Sequence, residues 1–310
     1  MLDKNGLNMT VDILMATYNG ERYLEEQIRS IQAQTFTSWR LLISDDCSTD
    51  GTLGIIQRLA GADDRIQLVS SGTRKGGAKE NFFYLMSQST ADYVFFCDQD
   101  DVWLPDKMAL SLEHMLKNAI ASKPNCLYTD LAIVDRCLNT MYESRFAKAG
   151  VSGKDNFASL LFENRLTGCT VLVDRALLRR AMQCFDLESV IMHDWWVGLI
   201  AVSQGRLIRF ERVTMLYRQH EANVVGEQKK TIKQLVVGAK EGFSRKIAQA
   251  SYFIECYKEY LTKHDLDFAQ QLSRFAKLSL PKRLSLINSN GLWGSSPFER
   301  VNTFIHIVVP

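Results

Sequence analysis

Three carboxylates within four positions form the most chemically distinctive stretch of the sequence. Asp98, Asp100 and Asp101 follow an apolar run, residues 93–97, that predicts a short buried strand. Like charges this close repel and raise one another's pKa, so a purely structural segment would not favour them. A divalent cation would offset the repulsion, and hard oxygen ligands suit Mg²⁺ or Mn²⁺. The alternative is a solvated acidic turn in which Asp101 or Asp106 caps the next helix.

Strands and helices alternate through the first hundred residues. Besides the strand before Asp98, apolar runs predict strands at 11–16, 39–43 and 66–69, and an amphipathic pattern predicts a helix at 21–34. This order predicts a parallel, doubly wound α/β sheet. Ligands of such sheets bind outside the carboxyl ends of the strands, which is where the three carboxylates fall.

Polar side chains also follow the first two predicted strands. Thr17, Tyr18 and Asn19 come after the first, and Asn19 is expected to cap the next helix. The adjacent pair Asp45 and Asp46 comes after the second, where helix capping does not explain it. Because parallel strands end at one rim of the sheet, these groups and the three carboxylates together predict a binding site there.

A glycine-rich basic loop at residues 71–79 precedes a helix predicted to begin near Asn81. Backbone N–H groups, a helix N-terminus and basic side chains such as Lys75 together suit a phosphate. The loop matches neither a Walker A motif nor a dinucleotide fingerprint. Binding of a phosphate is therefore the interpretation of this loop.

The later part of the chain adds further candidate residues. The predicted elements are a helix at 105–118 and strands at 126–134, 165–173, 206–211 and 214–217. Gly168, within a predicted strand, would permit a ligand's close approach or simply form a bulge. Asp194 stands between His193 and Trp195, either as a helix cap or as a general base near aromatic rings. His220 is a loop histidine or a metal ligand.

From residue 229 onward the patterns are helical, and lysine and arginine recur. Solvated helix faces are the default interpretation, and contact with an anionic membrane surface is the alternative. The expected organisation is an α/β domain over residues 1–225 followed by a helical region over residues 226–310.

The composition is that of an ordinary globular protein, with 46% hydrophobic and 23% charged residues and a formal net charge of +2. This charge argues against wholesale electrostatic binding of nucleic acid. Seven scattered cysteines without a Cys-x-x-Cys pair exclude a zinc ribbon or a disulfide framework and fit a reducing compartment. No signal peptide or membrane-spanning window is present, so a cytoplasmic location is expected.

Five stretches occur in an order that is specific as a set: residues 12–20, 44–52, 98–101, 193–195 and 217–220. Together they resemble the inverting glycosyltransferases of family 2, which have the GT-A fold. Three motifs within the chain are similar to those of bacterial rhamnosyltransferase-like enzymes, which build O-antigen or capsule. They are Asp-Gln-Asp-Asp-Val-Trp, Thr-Gly-Cys-Thr and His-Asp-Trp-Trp. The resemblance implies a GT-A-type doubly wound, mixed but mostly parallel sheet with a helical C-terminal extension.

The resemblance also implies roles for the matching residues, and the basic loop adds two more. Nucleotide binding would fall to Thr17, Tyr18, Asn19, Asp45, Asp46, Lys75, Asn81 and Asp98, metal binding to Asp98, Asp100 and His220, and acceptor binding to Gly168, Cys169, His193 and Trp195. Asp45 or Asp46 would accept a hydrogen bond from N3–H of uracil or thymine, and Asp194 would be the catalytic base. Two departures from the family are Cys47, often Gly or Asn, and His193, often Glu.

The expected function is metal-dependent, inverting transfer of a sugar to a glycan or undecaprenyl-diphosphate-linked acceptor in O-antigen or capsule biosynthesis. The donor would be a dTDP- or UDP-sugar, with rhamnose from dTDP-rhamnose preferred and Mg²⁺ or Mn²⁺ as cofactor. Peripheral contact with the cytoplasmic face of the inner membrane and a homodimer complete the expected partners. The alternatives are a nucleotidyltransferase, which lacks its glycine-rich signature here, and a catalytically inactive sugar-nucleotide-binding or scaffold protein.

Overall fold

The strands that begin the chain are apolar almost throughout because the sheet buries both of their faces. The computed structural model describes residues 9–149, 155–220, 232–293, 300, 303–304 and 307–308. The predicted domain boundary at residue 225 lies outside these ranges and stays a prediction.

The first half of the chain is an alternation of strands and helices. Its elements are β1 (Val11–Thr17), α1 (Leu24–Gln32), β2 (Arg40–Asp45), α2 (Thr52–Ala60), β3 (Ile66–Ser70), α3 (Ala78–Gln88) and β4 (Tyr93–Cys97). β1 pairs in parallel with β2 and with β4, and Met15 lies opposite Ile43 on one side and Cys97 on the other. The carboxyl ends of these strands therefore reach the same rim, which confirms the predicted parallel sheet.

The second half completes a mixed sheet. Its elements are β5 (Val102–Trp103), α4 (Lys107–Asn118), β6 (Asn125–Val134), β7 (Thr140–Tyr142), α5 (Arg145–Ala149), α6 (Phe157–Phe162), β8 (Val171–Asp174), α7 (Arg175–Gln183), α8 (His193–Gln204) and β9 (Arg206–Arg218). Among the described residues the sheet has nine strands in the order β3-β2-β1-β4-β8-β6-β9-β5, with β7 on β6. β8 runs antiparallel to β4 and β6, whereas β9 runs parallel to β6.

Two predicted strand boundaries are wrong. The strand expected at 165–173 is a 3₁₀ turn, Gly168–Thr170, followed by the short β8. The strands expected at 206–211 and 214–217 form the single strand β9, whose pairing with β6 shifts register near Asp130. An irregularity in a long strand interrupts the polar and apolar alternation, and the sequence pattern then resembles two strands.

The C-terminal part is helical, as predicted, with α9 (Ile232–Tyr257), α10 (Lys263–Ser273) and α11 (Leu280–Ser289). The rings of Phe253 and Tyr257 lie 5.3 and 5.8 Å from Trp196 of α8, so one apolar core joins these helices to the sheet layer. Over the described ranges, no helix combines the length and apolarity that crossing a bilayer requires.

A disulfide links Cys184, after α7, to Cys256 near the end of α9, across a sequence separation of 72. The exclusion of disulfides from sequence spacing is therefore wrong for this pair, because folding brings distant cysteines together. Cys97, Cys126 and Cys169 are free and buried, as expected of small core residues.

Candidate active site

The two aspartates after β2 have different surroundings. Asp45 is fully buried, and its carboxylate accepts hydrogen bonds from Thr17 Oγ1 at 2.9 Å and from Ser48 N and Oγ at 2.8 and 2.6 Å. Asp46 Oδ1 accepts hydrogen bonds from the backbone of the basic loop, at Lys75 and Gly76. Asp46 Oδ2 receives no hydrogen bond from the part of the chain that the structure describes. Asp45 therefore holds the turn together, whereas Asp46 retains an oxygen for a ligand.

The loop after β1 is fixed to both neighbouring loops, and Asn19 is not a helix cap. α1 begins at Leu24, whereas Asn19 has a positive φ of 47° and its Oδ1 accepts a hydrogen bond from Thr49 N at 2.8 Å. The Gln99 side chain accepts from Tyr18 N at 2.9 Å and donates to Tyr18 O at 3.0 Å. The Tyr18 side chain remains 48% exposed and can face a ligand.

The basic loop and the start of α3 also lie at this rim. Lys75 Nζ donates to Ser70 Oγ at 2.9 Å and lies 4.2 Å from the centre of the Tyr84 ring. Asn81 is buried, and its Nδ2 donates to Ser44 O at 2.8 Å, which anchors α3 to the end of β2. The structure thus brings both residues to the predicted site, Lys75 on the loop and Asn81 beneath it.

The end of β9 lies against the carboxylates that follow β4. His220 Nε2 lies 2.8 Å from Asp100 Oδ2, which joins two predicted metal ligands that are 120 residues apart in sequence. Arg218, buried and paired with Glu26, donates from its backbone N to Asp101 Oδ1 at 3.0 Å and from Nε to Asp100 O at 2.9 Å. Arg218 therefore fixes the backbone on which Asp100 sits.

The Asp98 carboxylate is the third predicted metal ligand. It forms no ion pair within the described residues, and burial together with the charges of Asp100 and Asp194 raises its pKa to about 7. Neither Asp101 nor Asp106 caps α4 with its side chain, so the capping alternative is wrong. Two hard carboxylates and an imidazole nitrogen are a donor set that fits Mg²⁺ or Mn²⁺.

Asp194 lies in the first turn of α8 and is 5% exposed. Its Oδ1 accepts a hydrogen bond from Trp195 N at 2.7 Å, and its Oδ2 accepts one from Asn164 Nδ2 at 3.2 Å. Burial raises the pKa of Asp194 to about 6, and these hydrogen bonds limit the rise. The carboxylate is thus mostly ionised at neutral pH but more basic than usual, which suits a general base.

Gly168, His193 and Trp195, three of the predicted acceptor residues, lie next to Asp194. A Cβ at Gly168 would lie 3.0 Å from His193 Nε2, so glycine is what permits this close packing. His193 is 4% exposed and stacks on Phe82, and burial lowers its pKa to about 3, which keeps the imidazole neutral.

Cys169 and Trp195 are likewise buried, and Trp195 Nε1 donates to Leu160 O at 2.5 Å. A direct contact of these residues with the acceptor stays a prediction.

Three residues were missed at the sequence level. Gln99 and Arg218 stand inside recognised motifs, but only their contacts show that they tie the carboxylates to the loop after β1 and to β9. Asn164 belongs to no motif, and its position beside Asp194 follows from the turn before the 3₁₀ segment.

We expect Asn164→Ala to move the acidic limb of the pH profile of activity upward by about one unit. Asp194 must be ionised to act, so activity falls as the pH drops through its pKa near 6. A hydrogen bond to a charged group is worth about 1.5–3 kcal/mol, and removing it raises that pKa. The measurement is initial rate against pH. Asn156→Ala, which removes the cap of α6 instead, is the control and should leave the limb in place; an unmoved limb in Asn164→Ala would contradict the assignment.

Comparison with known proteins identifies the family. Residues 12–166 match the family described as Glycosyl transferase family 2. The dTDP-rhamnosyl transferase RfbG of Shigella flexneri is 32% identical over 231 residues, which cover 68% of this chain and 73% of that protein. The UDP-Glc:alpha-D-GlcNAc-diphosphoundecaprenol beta-1,3-glucosyltransferase WfgD of Escherichia coli is 26% identical and covers 83% of this chain and 96% of its own length.

Solved structures show the same fold at low sequence identity. Residues 1–349 of S. aureus TarS, in complex with UDP-GlcNAc, align with a TM-score of 0.61 at 15% identity, covering 95% of this chain and 79% of that one. The mannosyltransferase PcManGT from Pyrobaculum calidifontis, in complex with GDP-Man and Mn²⁺, aligns with a TM-score of 0.54 at 17% identity, covering 99% and 88%. These likenesses confirm the GT-A fold, and with the family match they show that the chain belongs to glycosyl transferase family 2.

Proposed function

We propose that this protein transfers rhamnose from dTDP-rhamnose, with inversion, to a glycan or lipid-linked acceptor in bacterial surface polysaccharide biosynthesis. The observation that carries the proposal is that Asp46 and the Asp100–His220 pair lie at one rim of the parallel sheet, with Asp194 close enough for its charge to act on Asp98. The dTDP-rhamnosyl transferase RfbG supports the choice of donor, and the diphosphoundecaprenol in the name of WfgD supports a lipid-linked acceptor.

The nucleotide half of the donor fits the loops after β1 and β2. The unbonded Oδ2 of Asp46 is the acceptor for N3–H of thymine or uracil, since Asp45 is fully used within its turn. The exposed ring of Tyr18 lies on the loop beside it, and a base can stack on such a ring.

The diphosphate half fits the carboxylate cluster. Asp98, Asp100 and His220 would hold a divalent cation, which when bound stabilises the negative charge of the departing diphosphate. Arg218 bonds the backbone of Asp100, and Gln99, which lies between Asp98 and Asp100, bonds the loop after β1. Preorganised ligands need no rearrangement when charge develops.

Asp194 supplies the proton transfer. Its carboxylate takes the proton from an acceptor hydroxyl as the oxygen attacks the anomeric carbon, on the face opposite the leaving diphosphate. The new bond from oxygen to the anomeric carbon forms as the bond to the diphosphate breaks, so the anomeric centre inverts. The neutral His193 adjacent to Asp194 adds no positive charge that would weaken the base.

Calorimetric titration with dTDP-rhamnose, UDP-glucose, UDP-galactose and GDP-mannose, each with Mn²⁺, Mg²⁺ or EDTA, tests the proposal. We expect metal-dependent binding of dTDP-rhamnose. Asp46→Asn should weaken it about tenfold or more, because the amide keeps the loop contact through Oδ1 but turns N–H groups toward the base. Asp135→Asn, on the exposed turn after β6, is the matched control. A preference for GDP-mannose, or no binding by folded protein, would contradict the donor assignment.

We also propose that the C-terminal region contacts an anionic membrane surface, where a lipid-linked acceptor resides. Leu280 and Trp293 are 48% and 38% exposed, and the basic residues Lys277 and Lys282 are exposed nearby in sequence. Apolar side chains beside basic ones suit an anionic lipid interface. Co-sedimentation with phosphatidylglycerol vesicles, weakened by salt and absent with phosphatidylcholine, is expected. Protein that stays in the supernatant with both vesicle types would rule this out.

A further inference from the structure

We propose that Asp98, Asp101 and Cys169 form a second cation site, selective for a thiophilic divalent ion such as Zn²⁺, that shares Asp98 with the donor site. One ligand atom from each residue lies within 4.8 Å of the other two. Asp98 and Asp101 come from the loop after β4, and Cys169 comes from the 3₁₀ turn before β8. Neither Asp101 nor Cys169 belongs to the first set of proposed metal ligands, which is Asp98, Asp100 and His220.

The cluster forms no ion pair within the described chain, although the buried amine of Lys107 lies close enough for its charge to act on Asp101 and Cys169. Asp101 is fully buried, and its Oδ2 accepts no hydrogen bond from a nitrogen or oxygen donor among the residues the structure describes. Cys169 is 1% exposed. The buried amine of Lys107 contacts Thr214 Oγ1 at 3.3 Å and Met215 Sδ at 3.7 Å rather than either carboxylate. Two carboxylates and a thiol therefore face one another without a direct cationic partner in the described chain.

A bound cation holds the deprotonated forms of its carboxylate and thiol ligands. On binding, the Sγ–H bond breaks, the sulfur–metal bond forms, and the proton leaves to solvent without any change of oxidation state.

The donor set decides which ion binds. A thiolate favours Zn²⁺ or Cd²⁺ over the hard ions Mg²⁺ and Mn²⁺. Zinc takes sulfur at about 2.3 Å and carboxylate oxygen at about 2.0–2.2 Å, usually with four ligands. The three ligand atoms, which lie within 4.8 Å of one another, must move closer together to reach these distances to the ion. A water molecule can supply the fourth ligand.

The site of Asp98, Asp101 and Cys169, called the inner site below, shares Asp98 with the donor site, so on the proposed function its occupancy affects sugar transfer. An ion held by Asp101 and Cys169 draws on the same Asp98 carboxylate that Mn²⁺ would use with Asp100 and His220. Zn²⁺ at the inner site would therefore inhibit sugar transfer in competition with Mn²⁺.

The direct test is titration of the metal-free protein with Cd²⁺, followed by the ultraviolet charge-transfer absorption of the cadmium–thiolate bond. All titrations use a background protein with the substitutions Cys47→Ser and Cys137→Ser, which remove the two free thiols that are not buried. We expect a saturable band at one equivalent of Cd²⁺. Adding Cys169→Ser should abolish the band, and adding Asp101→Asn should weaken binding at least tenfold. Cys126→Ser, a buried thiol outside the cluster, is the matched control and should keep the band.

A band that survives in Cys169→Ser overturns the proposal, provided that each variant unfolds at a temperature close to that of the background protein. Inhibition by Zn²⁺ is the second measurement. The Zn²⁺ concentration that halves activity should be at least tenfold higher for Cys169→Ser than for the background protein. Because the Cd²⁺ band requires no sugar transfer, the two proposals can fail separately. A normal band with no transfer from any donor would refute the function, whereas normal transfer without the band would refute the inner site.

Discussion

Asp194→Asn is expected to abolish sugar transfer while donor binding stays within about twofold of wild type. General base catalysis contributes about 10²- to 10⁴-fold to rate, so a loss in this range follows from removing the proton acceptor. Asparagine has the shape of aspartate, and its Oδ1 can still accept the hydrogen bond from Trp195 N. The variant therefore changes the chemistry of the position and not its packing. Turnover with donor and acceptor, and donor titration by calorimetry, measure the two effects separately.

The matched control is Asp174→Asn, at a partly buried aspartate where burial likewise raises the pKa. Asp174 caps α7 through a hydrogen bond from Leu177 N at 2.8 Å, and asparagine caps helices equally well. Asp174→Asn should keep transfer within about twofold of wild type. Transfer at a near-normal rate by Asp194→Asn would remove Asp194 from the role of base and leave the acceptor to be activated by another group.

The parallel half of the fold was predictable because its strands are short apolar runs separated by amphipathic helices. Parallel pairing places all their carboxyl ends at one rim, so Thr17, Asp45 and Asp98 could be grouped from the sequence. The different roles of Asp45 and Asp46 could not be predicted from the sequence. They depend on which of the two carboxylates accepts the hydrogen bonds of Ser48.

The contacts around Asp194 were also beyond the sequence. Gly168 reads as a strand or bulge glycine, yet its role is to leave space for His193, which lies 25 positions later in the chain. The pairing of β8 with β4 and β6 brings these segments together, and nothing in the local pattern fixes that order. The Cys184–Cys256 pair is hidden for the same reason, since a contact between distant segments leaves no local signature.

Asp100→Ala should remove the metal dependence of donor binding and weaken binding in saturating Mn²⁺ by about 100-fold or more. A Lewis-acid cation on the diphosphate is worth several kcal/mol, and Asp100 is a hard ligand placed 2.8 Å from His220. The fold should survive, because Arg218 bonds the backbone carbonyl of Asp100 and not its side chain. Calorimetric titration of dTDP-rhamnose at several Mn²⁺ concentrations measures the coupling between ion and donor.

Two further variants test whether Asp100 acts as a metal ligand or only through its negative charge. His220→Ala should reduce the same coupling, because it removes the partner nitrogen while leaving every carboxylate in place. Asp135→Ala removes a carboxylate from the exposed turn between β6 and β7 and should leave both metal dependence and affinity unchanged. If Asp100→Ala bound the donor with wild-type dependence on Mn²⁺, the set of Asp98, Asp100 and His220 could not be the site that serves the diphosphate. The cation would then have to be held by Asp98 with other ligands, and one ligand atom each of Asp101 and Cys169 lies within 4.8 Å of an Asp98 oxygen.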